Sequence, residues 1–302
     1  MELSWVLPAI ASPFIYAIVS IGDKWILSTL KLRIESFNLF VGGTQLGISL
    51  VILLLLGIPD ASTEALAAAI GGGMIWGVAL IILFMALRRE QIGRIVPVSQ
   101  TSPVFAAILG VVLLGENLEW WGWLAVLLVV AGAVIVSADP HQLLSGGFRK
   151  VYLWVVLAAA LIGIAQVLLK LSSDEMNVWH NMSLRGIGLF TTLAIPVLRP
   201  SIARDLGSFI TTKKTAIPVL IVEGLGPILG NGFLLLALAN GPVSLVSALL
   251  GTRPIFILLI TLAFAPIAKK ALAEEFTRAD IITKTVSTAA VVGGVVIISL
   301  AS

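Results

Sequence analysis

Along this 302-residue chain, runs of about twenty residues with scarcely a charged side chain recur, set apart by short polar interruptions. They fall near 3–22, 36–58, 66–87, 92–114, 119–137, 150–171, 178–198, 215–238, 242–264 and 281–300. At 1.5 Å rise per residue, each spans a hydrocarbon core of about 30 Å as a helix. The runs are continuously apolar, whereas the strands of a membrane barrel alternate over about ten residues, so helices are expected. Trp120, Trp121 and Trp179 lie near span ends, where an interfacial belt wants them. With 59 % hydrophobic and 12 % charged residues, the chain lacks the polar surface a soluble body needs, and the spans leave no length for a soluble domain. There is no cysteine and there are two histidines, so no disulfide, thiolate metal site or metal-bearing cofactor is expected. The net charge of +3 comes from basic residues between apolar runs, which meet lipid headgroups, so nucleic acid is not an expected partner. The start, Met1-Glu2-Leu3-Ser4-Trp5, lacks the basic region of a cleaved signal, and the first apolar stretch is read as a span.

The segment Ala138 to Arg149 falls near mid-chain. Setting 86–105 over 237–256 without a gap matches Ala86, Leu87, Thr101, Pro103 and Phe105 with Ala237, Leu238, Thr252, Pro254 and Phe256, an offset of 151 residues. Val129-Val130-Ala131-Gly132 pairs with Val291-Val292-Gly293-Gly294 after an insertion around 265–280. The expected architecture is therefore an all-α membrane protein of ten transmembrane helices in two five-helix repeats, 1–143 and 144–302. Because five is odd, the second repeat is inverted relative to the first. The loop charges agree. Lys24, Lys31, Arg33, Arg88, Arg89, Arg94, Arg149, Lys150, Arg199, Arg204, Lys213, Lys214, Lys269, Lys270 and Arg278 all fall on one side of such a chain. The other side holds Asp60, Glu64, Glu116, Glu119, Asp174 and Glu175, with Lys170 at its edge. The positive-inside rule makes the basic side cytoplasmic and puts both termini outside, for a multi-pass protein of the cell (inner) membrane.

The run Pro97-Val98-Ser99-Gln100-Thr101-Ser102-Pro103-Val104-Phe105, continuing through Ile108-Leu109-Gly110 to Leu114-Gly115-Glu116, resembles the fourth-helix signature of the EamA-type transporters of the drug/metabolite transporter superfamily. Leu250-Gly251-Thr252-Arg253-Pro254-Ile255-Phe256 resembles it more loosely and lacks the Gly-Glu ending. Lys24, Lys170 and Arg185 also sit where that family often has basic residues. The resemblance implies a carrier whose helices one to four and six to nine surround a central cavity, with helices five and ten outside; it implies no substrate.

Ionisable groups inside a span are costly and mark transport paths by default. Glu223 in the eighth span and Arg253 in the ninth share a depth near the midplane, about 16–17 Å from the outer edge. Two readings stand for them: a static salt bridge, or a cavity pair that exchanges partners with substrate or, at Glu223, a proton. Arg185 lies about 12 Å from the outer edge. Two arginines against one glutamate leave a net positive cavity, suited to a carboxylate or phosphate; for Arg185 alone, bonding to free helix carbonyls is the other reading. Tyr16, Gln45, Gln100, Thr101, Gln166 and Asn231, with Trp76 as a wall, complete the candidate pocket. Glu116, at a helix end facing water, is read as structural. Gly43 with Gly47, and Gly226 with Gly230, are spaced for close helix packing. Pro103, Pro227 and Pro254 are candidate bends.

The function expected is a secondary transporter, in the exporting direction, of a small polar metabolite such as an amino acid or organic anion, working by alternating access with proton coupling as one form. The alternatives are a lipid-linked phosphate carrier or amphipathic-drug translocase and, in another class, a membrane assembly subunit or a membrane-embedded enzyme. No Walker A stretch appears, the six aspartates are scattered singly, and His180 has no evident nucleophile partner, so no enzyme is expected. The expected partners are a small-molecule substrate and the bilayer, with the chain a monomer or homodimer.

Overall fold

A computed structural model describes residues 3–28, 32–89, 98–99, 101–137, 150–211 and 221–263, and the single positions 290, 293 and 297. Among these there is no strand. The helices are α1 (Val6–Ser28), α2 (Ile34–Leu56), α3 (Thr63–Arg89), α4 (Ser102–Leu114), α5 (Trp120–Ser137), α6 (Lys150–Ser173), α7 (Val178–Leu193), α8 (Pro200–Ile210), α9 (Gly226–Asn240), α10 (Val243–Leu250) and α11 (Arg253–Ala263). Three, Ile34–Leu56, Thr63–Ala86 and Val151–Ser173, are each long and apolar enough alone to cross a membrane. The chain is an all-α integral membrane protein.

Two expectations change. The loop expected over 199–214 carries α8, bent 111° from the segment before it. Its start follows from Pro200 at the first helical position, where a missing N–H costs nothing. Ile202 is buried, and Leu206 and Phe209 pack against Phe37 and its neighbours, while Arg204 faces out. The ninth expected span is broken: α10 ends at Leu250, Gly251 and Thr252 form a turn, and α11 restarts with Pro254 in its first turn. Pro103 and Pro227 likewise sit at the first turns of α4 and α9, so these prolines begin helical segments rather than bend their middles. The tenth expected span lies almost wholly outside the described residues.

The turn before α11 repeats the turn before α4. Thr101 donates its N–H (3.2 Å) and its hydroxyl (2.7 Å) to the Val98 carbonyl, and Val104 N–H donates to Thr101 (3.1 Å). Thr252 donates its N–H (3.0 Å) and hydroxyl (2.7 Å) to Leu249, and Ile255 N–H donates to Thr252 (3.0 Å). All three bonds recur at the offset of 151 residues. Helix partners recur too: α6 packs on α3 and α4, as α1 packs on α9 and on α11.

Glycine sets how closely the helices meet. A Cβ at Gly73 would overlap the Arg185 carbonyl oxygen, one at Gly188 the Ile70 carbonyl, and one at Gly77 the Thr192 hydroxyl, so α3 and α7 run parallel with their backbones in contact. Gly42 lies against Ala194, and Gly186 against Ser49 and Gln45, which makes α2 and α7 antiparallel. Gly226 meets Val19 and Gly230 meets the Tyr16 ring, as their spacing predicted, joining α9 antiparallel to α1. Among the described residues the Gly43–Gly47 expectation fails: none of their atoms lies within 4 Å of a Cβ at either position. The buried stripe of α2 runs through Phe37, Val41, Gln45, Ser49 and Ile52, so Gly42 borders it while Gly43 and Gly47 face outward.

Segments assigned by charge to one side do touch. Glu116 Oε1 accepts the Val243 N–H (2.5 Å), and its Oε2 accepts the Ser244 N–H (3.2 Å) and hydroxyl (2.7 Å). It caps α10 from the end of α4, past Gly115 in the left-handed region (φ 66°) that glycine tolerates. Glu116 is thus structural, as expected, but half-buried rather than facing water. Glu175 accepts the Ser62 N–H (2.8 Å) and hydroxyl (2.9 Å), and these two bonds hold its carboxyl below the ordinary value. On the basic side, the Ser36 hydroxyl donates to Asp205 of α8.

Candidate functional site

Helices from both halves of the chain enclose a cavity of about 200 Å³. Its polar lining comes from Tyr16 on α1, Gln45 on α2, Ser99, Ser102 on α4, Gln166 on α6, Arg185 on α7, Asn231 on α9 and Arg253 on α11, with Trp76 on α3. Phe37, Leu83 and Phe84 line its apolar part.

Arg185 is the most constrained of these. Its residue is 1 % exposed, its backbone is pinned by Gly73, and one helical turn further along α3 the Trp76 ring lies 4.5 Å from its guanidinium carbon. Gly73 therefore positions the stack: α3 comes close enough for residue 76, on the same face, to cover residue 185. A desolvated cation–π contact of this kind contributes roughly 2 kcal/mol. The buried Nε of Arg185 has no hydrogen-bond partner among the described residues.

Arg253 follows the α10–α11 break. It donates to the Ser20 hydroxyl and lies 5.5 Å from the Tyr16 ring. Ser20 in turn donates to the Tyr16 carbonyl (2.7 Å), and the Tyr16 hydroxyl donates to Asn231 Oδ1. One turn earlier on α1, Ser12 donates to the Gly230 carbonyl (2.8 Å). Across the cavity, the Ser247 hydroxyl donates to Gln166 Oε1.

Seven residues picked from the sequence, Tyr16, Gln45, Trp76, Gln166, Arg185, Asn231 and Arg253, are brought together around this one cavity. Gln100 and the side chain of Glu223 lie outside the described residues, so the Glu223–Arg253 pair is not described either; the Glu223 backbone falls in a π-helical turn, Ile221–Leu225, ahead of α9. Thr101 spends its hydroxyl on its own helix rather than on the cavity. Ser20 is the residue that sequence reasoning missed, and its signal was there: it lies four residues after Tyr16, on the same face of α1. Among the described residues no cluster of His, Asp or Glu is arranged to hold a metal ion.

Residues 3–138 match the EamA-like transporter family. The chain is also 35 % identical over 65 residues to an "Uncharacterized transporter in cobO 3'region" of Sinorhizobium sp., an alignment that spans 22 % of this chain and 46 % of that relative, so the chain spans about half the length of the curated relative it matches. A solved crystal structure of a protein superposes with a TM-score of 0.70 at 15 % identity, covering 99 % of this chain and 98 % of the other, which shows that the fold recurs.

Proposed function

We propose that this chain is an EamA-type secondary transporter that exports a small polar metabolite, an amino acid or organic anion, across the cell membrane by alternating access of two inverted five-helix repeats, 1–143 and 144–302. The observation that carries this is the cavity itself: two arginines, each facing an aromatic ring, in a space of about 200 Å³ lined from both halves. A cavity of about 200 Å³ is on the scale of a small metabolite rather than of a lipid-linked carrier. Two features support the inverted repeat. The threonine turn recurs at an offset of 151 residues, and the counterpart helices α2 and α7 run antiparallel. The basic loops support a cytoplasmic assignment for that side, with both termini outside. The chain works as a monomer or homodimer.

Purified protein in liposomes is expected to take up radiolabelled metabolites from a broad panel without ATP. Failure across the panel, with lipid flipping seen instead, overturns the reading in favour of a lipid carrier. Glu223 is the proton-coupling candidate: Glu223→Gln removes the pH dependence of uptake while exchange persists, and an unchanged pH profile rules that role out. Asp60→Cys is expected to react with an impermeant thiol reagent from outside intact cells; labelling only after lysis reverses the orientation.

A further inference from the structure

Resting on that reading, we infer that the cavity is built for a small acceptor-rich carboxylate, an oxo acid or short dicarboxylate, rather than for an amino acid, and that Arg185 is the residue that anchors its acid group.

The direction of the hydrogen bonds around the cavity carries this. Asparagine and glutamine side chains each offer a carbonyl oxygen and an NH₂ group, and which end faces a ligand decides what the ligand must bring. Here both oxygens already accept a hydroxyl: Tyr16, itself in the lining, donates to Asn231 Oδ1, and Ser247, outside the lining, donates to Gln166 Oε1. The NH₂ ends of Asn231 and Gln166 are what remain for the cavity. Add the guanidiniums of Arg185 and Arg253, which carry N–H donors and no acceptor, and four of the polar side chains in the described lining present hydrogen. The matching ligand is a set of oxygen lone pairs. An ammonium group needs the opposite, and the described lining holds no carboxylate to receive it.

Between the two arginines, the anchor is Arg185. Its Nε is buried with no hydrogen-bond partner among the described residues, a donor that a carboxylate oxygen satisfies. It is also held at two points, its backbone against Gly73 and its guanidinium over the Trp76 ring, which favours a fork aimed before the ligand arrives. Arg253 is tied to Ser20 and sits just past the Gly251–Thr252 turn, on a segment that moves if that turn moves. It is the second contact, made or released as the broken helix shifts. The cavity volume of about 200 Å³ sets the scale at compounds such as pyruvate or a four-to-five-carbon dicarboxylate.

The test uses pairs that differ at one group: pyruvate against alanine, and 2-oxoglutarate against glutamate, measured by tryptophan fluorescence and thermal shift on the purified full chain. An oxo acid is expected to bind at least about tenfold more tightly than its amino partner. Arg185→Gln is expected to lose about tenfold or more in that binding, Arg185→Lys to recover part of it, and Arg253→Gln to lose only about threefold. If Arg185→Gln does not fold, the wild-type oxo-to-amino ratio and Trp76→Phe, which keeps the charge but weakens the stack, decide. The proposal is overturned if the amino acids bind as well as the oxo acids, if Arg253→Gln abolishes binding while Arg185→Gln keeps it, or if neither pair binds. Uptake of other metabolites by the same liposomes in those cases leaves the transporter reading standing and removes only this one; loss of all uptake removes that reading instead.

Discussion

Among the described residues, the two ends of the molecule are held in different ways. At the acid-rich end, carboxylates join the two halves of the chain: Glu116 caps α10 with three bonds and Glu175 clasps Ser62 with two. At the basic end the described link between halves is the single bond from Ser36 to Asp205, laid over a wall of Phe37, Leu83 and Phe84. Along α3 the cavity lining runs from Trp76, about 20 Å from Thr63, to Phe84, about 32 Å from it. The cavity thus extends from mid-depth toward the basic end, away from the end where the described carboxylate bonds lie. Closure by hydrogen bonds is directional and breaks as a unit; closure by aromatic side chains gives way one rotamer at a time.

Four measurements break or sharpen that contrast. The largest effect is expected from single cysteines in this cysteine-free chain. Leu83→Cys and Phe84→Cys should react with a membrane-impermeant reagent applied from the basic-loop side on the order of tenfold faster than Val243→Cys reacts from the acid-rich side, because Val243 is fully buried beneath the Glu116 cap. Equal rates erase the asymmetry. Next, Glu116→Ala removes a helix cap and three charge-assisted bonds, worth about 2–3 kcal/mol, and is expected to lower Tm by roughly 5 °C while raising labelling at Val243→Cys; an unchanged Tm removes Glu116 from the seam. Ser36→Ala should cost about 1 kcal/mol and speed labelling at Leu83→Cys, since it removes one bond over an apolar wall. Unchanged labelling there means that Asp205 holds nothing shut.

The smallest effect is the pH dependence of the Glu175 clasp. Because the Ser62 bonds lower the folded-state pKa of this carboxyl, its contribution is fully present above the unfolded-state pKa and is lost as pH falls through the lower folded-state value. Glu175→Gln should therefore narrow its stability difference from wild type as pH drops into that window. A difference that is flat through the acid range contradicts the assignment.

The helices were legible because lipid leaves the backbone few choices. The contacts from Glu116 to Ser244 and from Ser62 to Glu175 join segments that the loop charges had grouped together. The cavity residues were legible for the same reason: a polar group such as Arg185 or Asn231 in mid-span is too costly to leave unexplained. Partner geometry was not. Gly42 and Gly43 look alike in a sequence, and only the position of Ala194 separates the packed one from the open one. Nor did hydropathy report the break at Gly251–Thr252, since a one-turn change in hydrogen bonding alters no residue's polarity. The helix α8 was hidden because its apolar residues are spaced along one face rather than run together, and an average over the segment reads as loop.

The contact between α3 and α7 has a mechanical meaning. Where Gly73 and Gly188 set backbone against backbone, no side chain stands between the helices to flex, rotate or change rotamer. A joint without such padding cannot slide and transmits displacement undiminished, so the first-half helix and the second-half helix are coupled as a single lever that carries the Trp76–Arg185 stack at its middle. In the alternating-access reading proposed above, this pair is the fulcrum on which one half turns against the other.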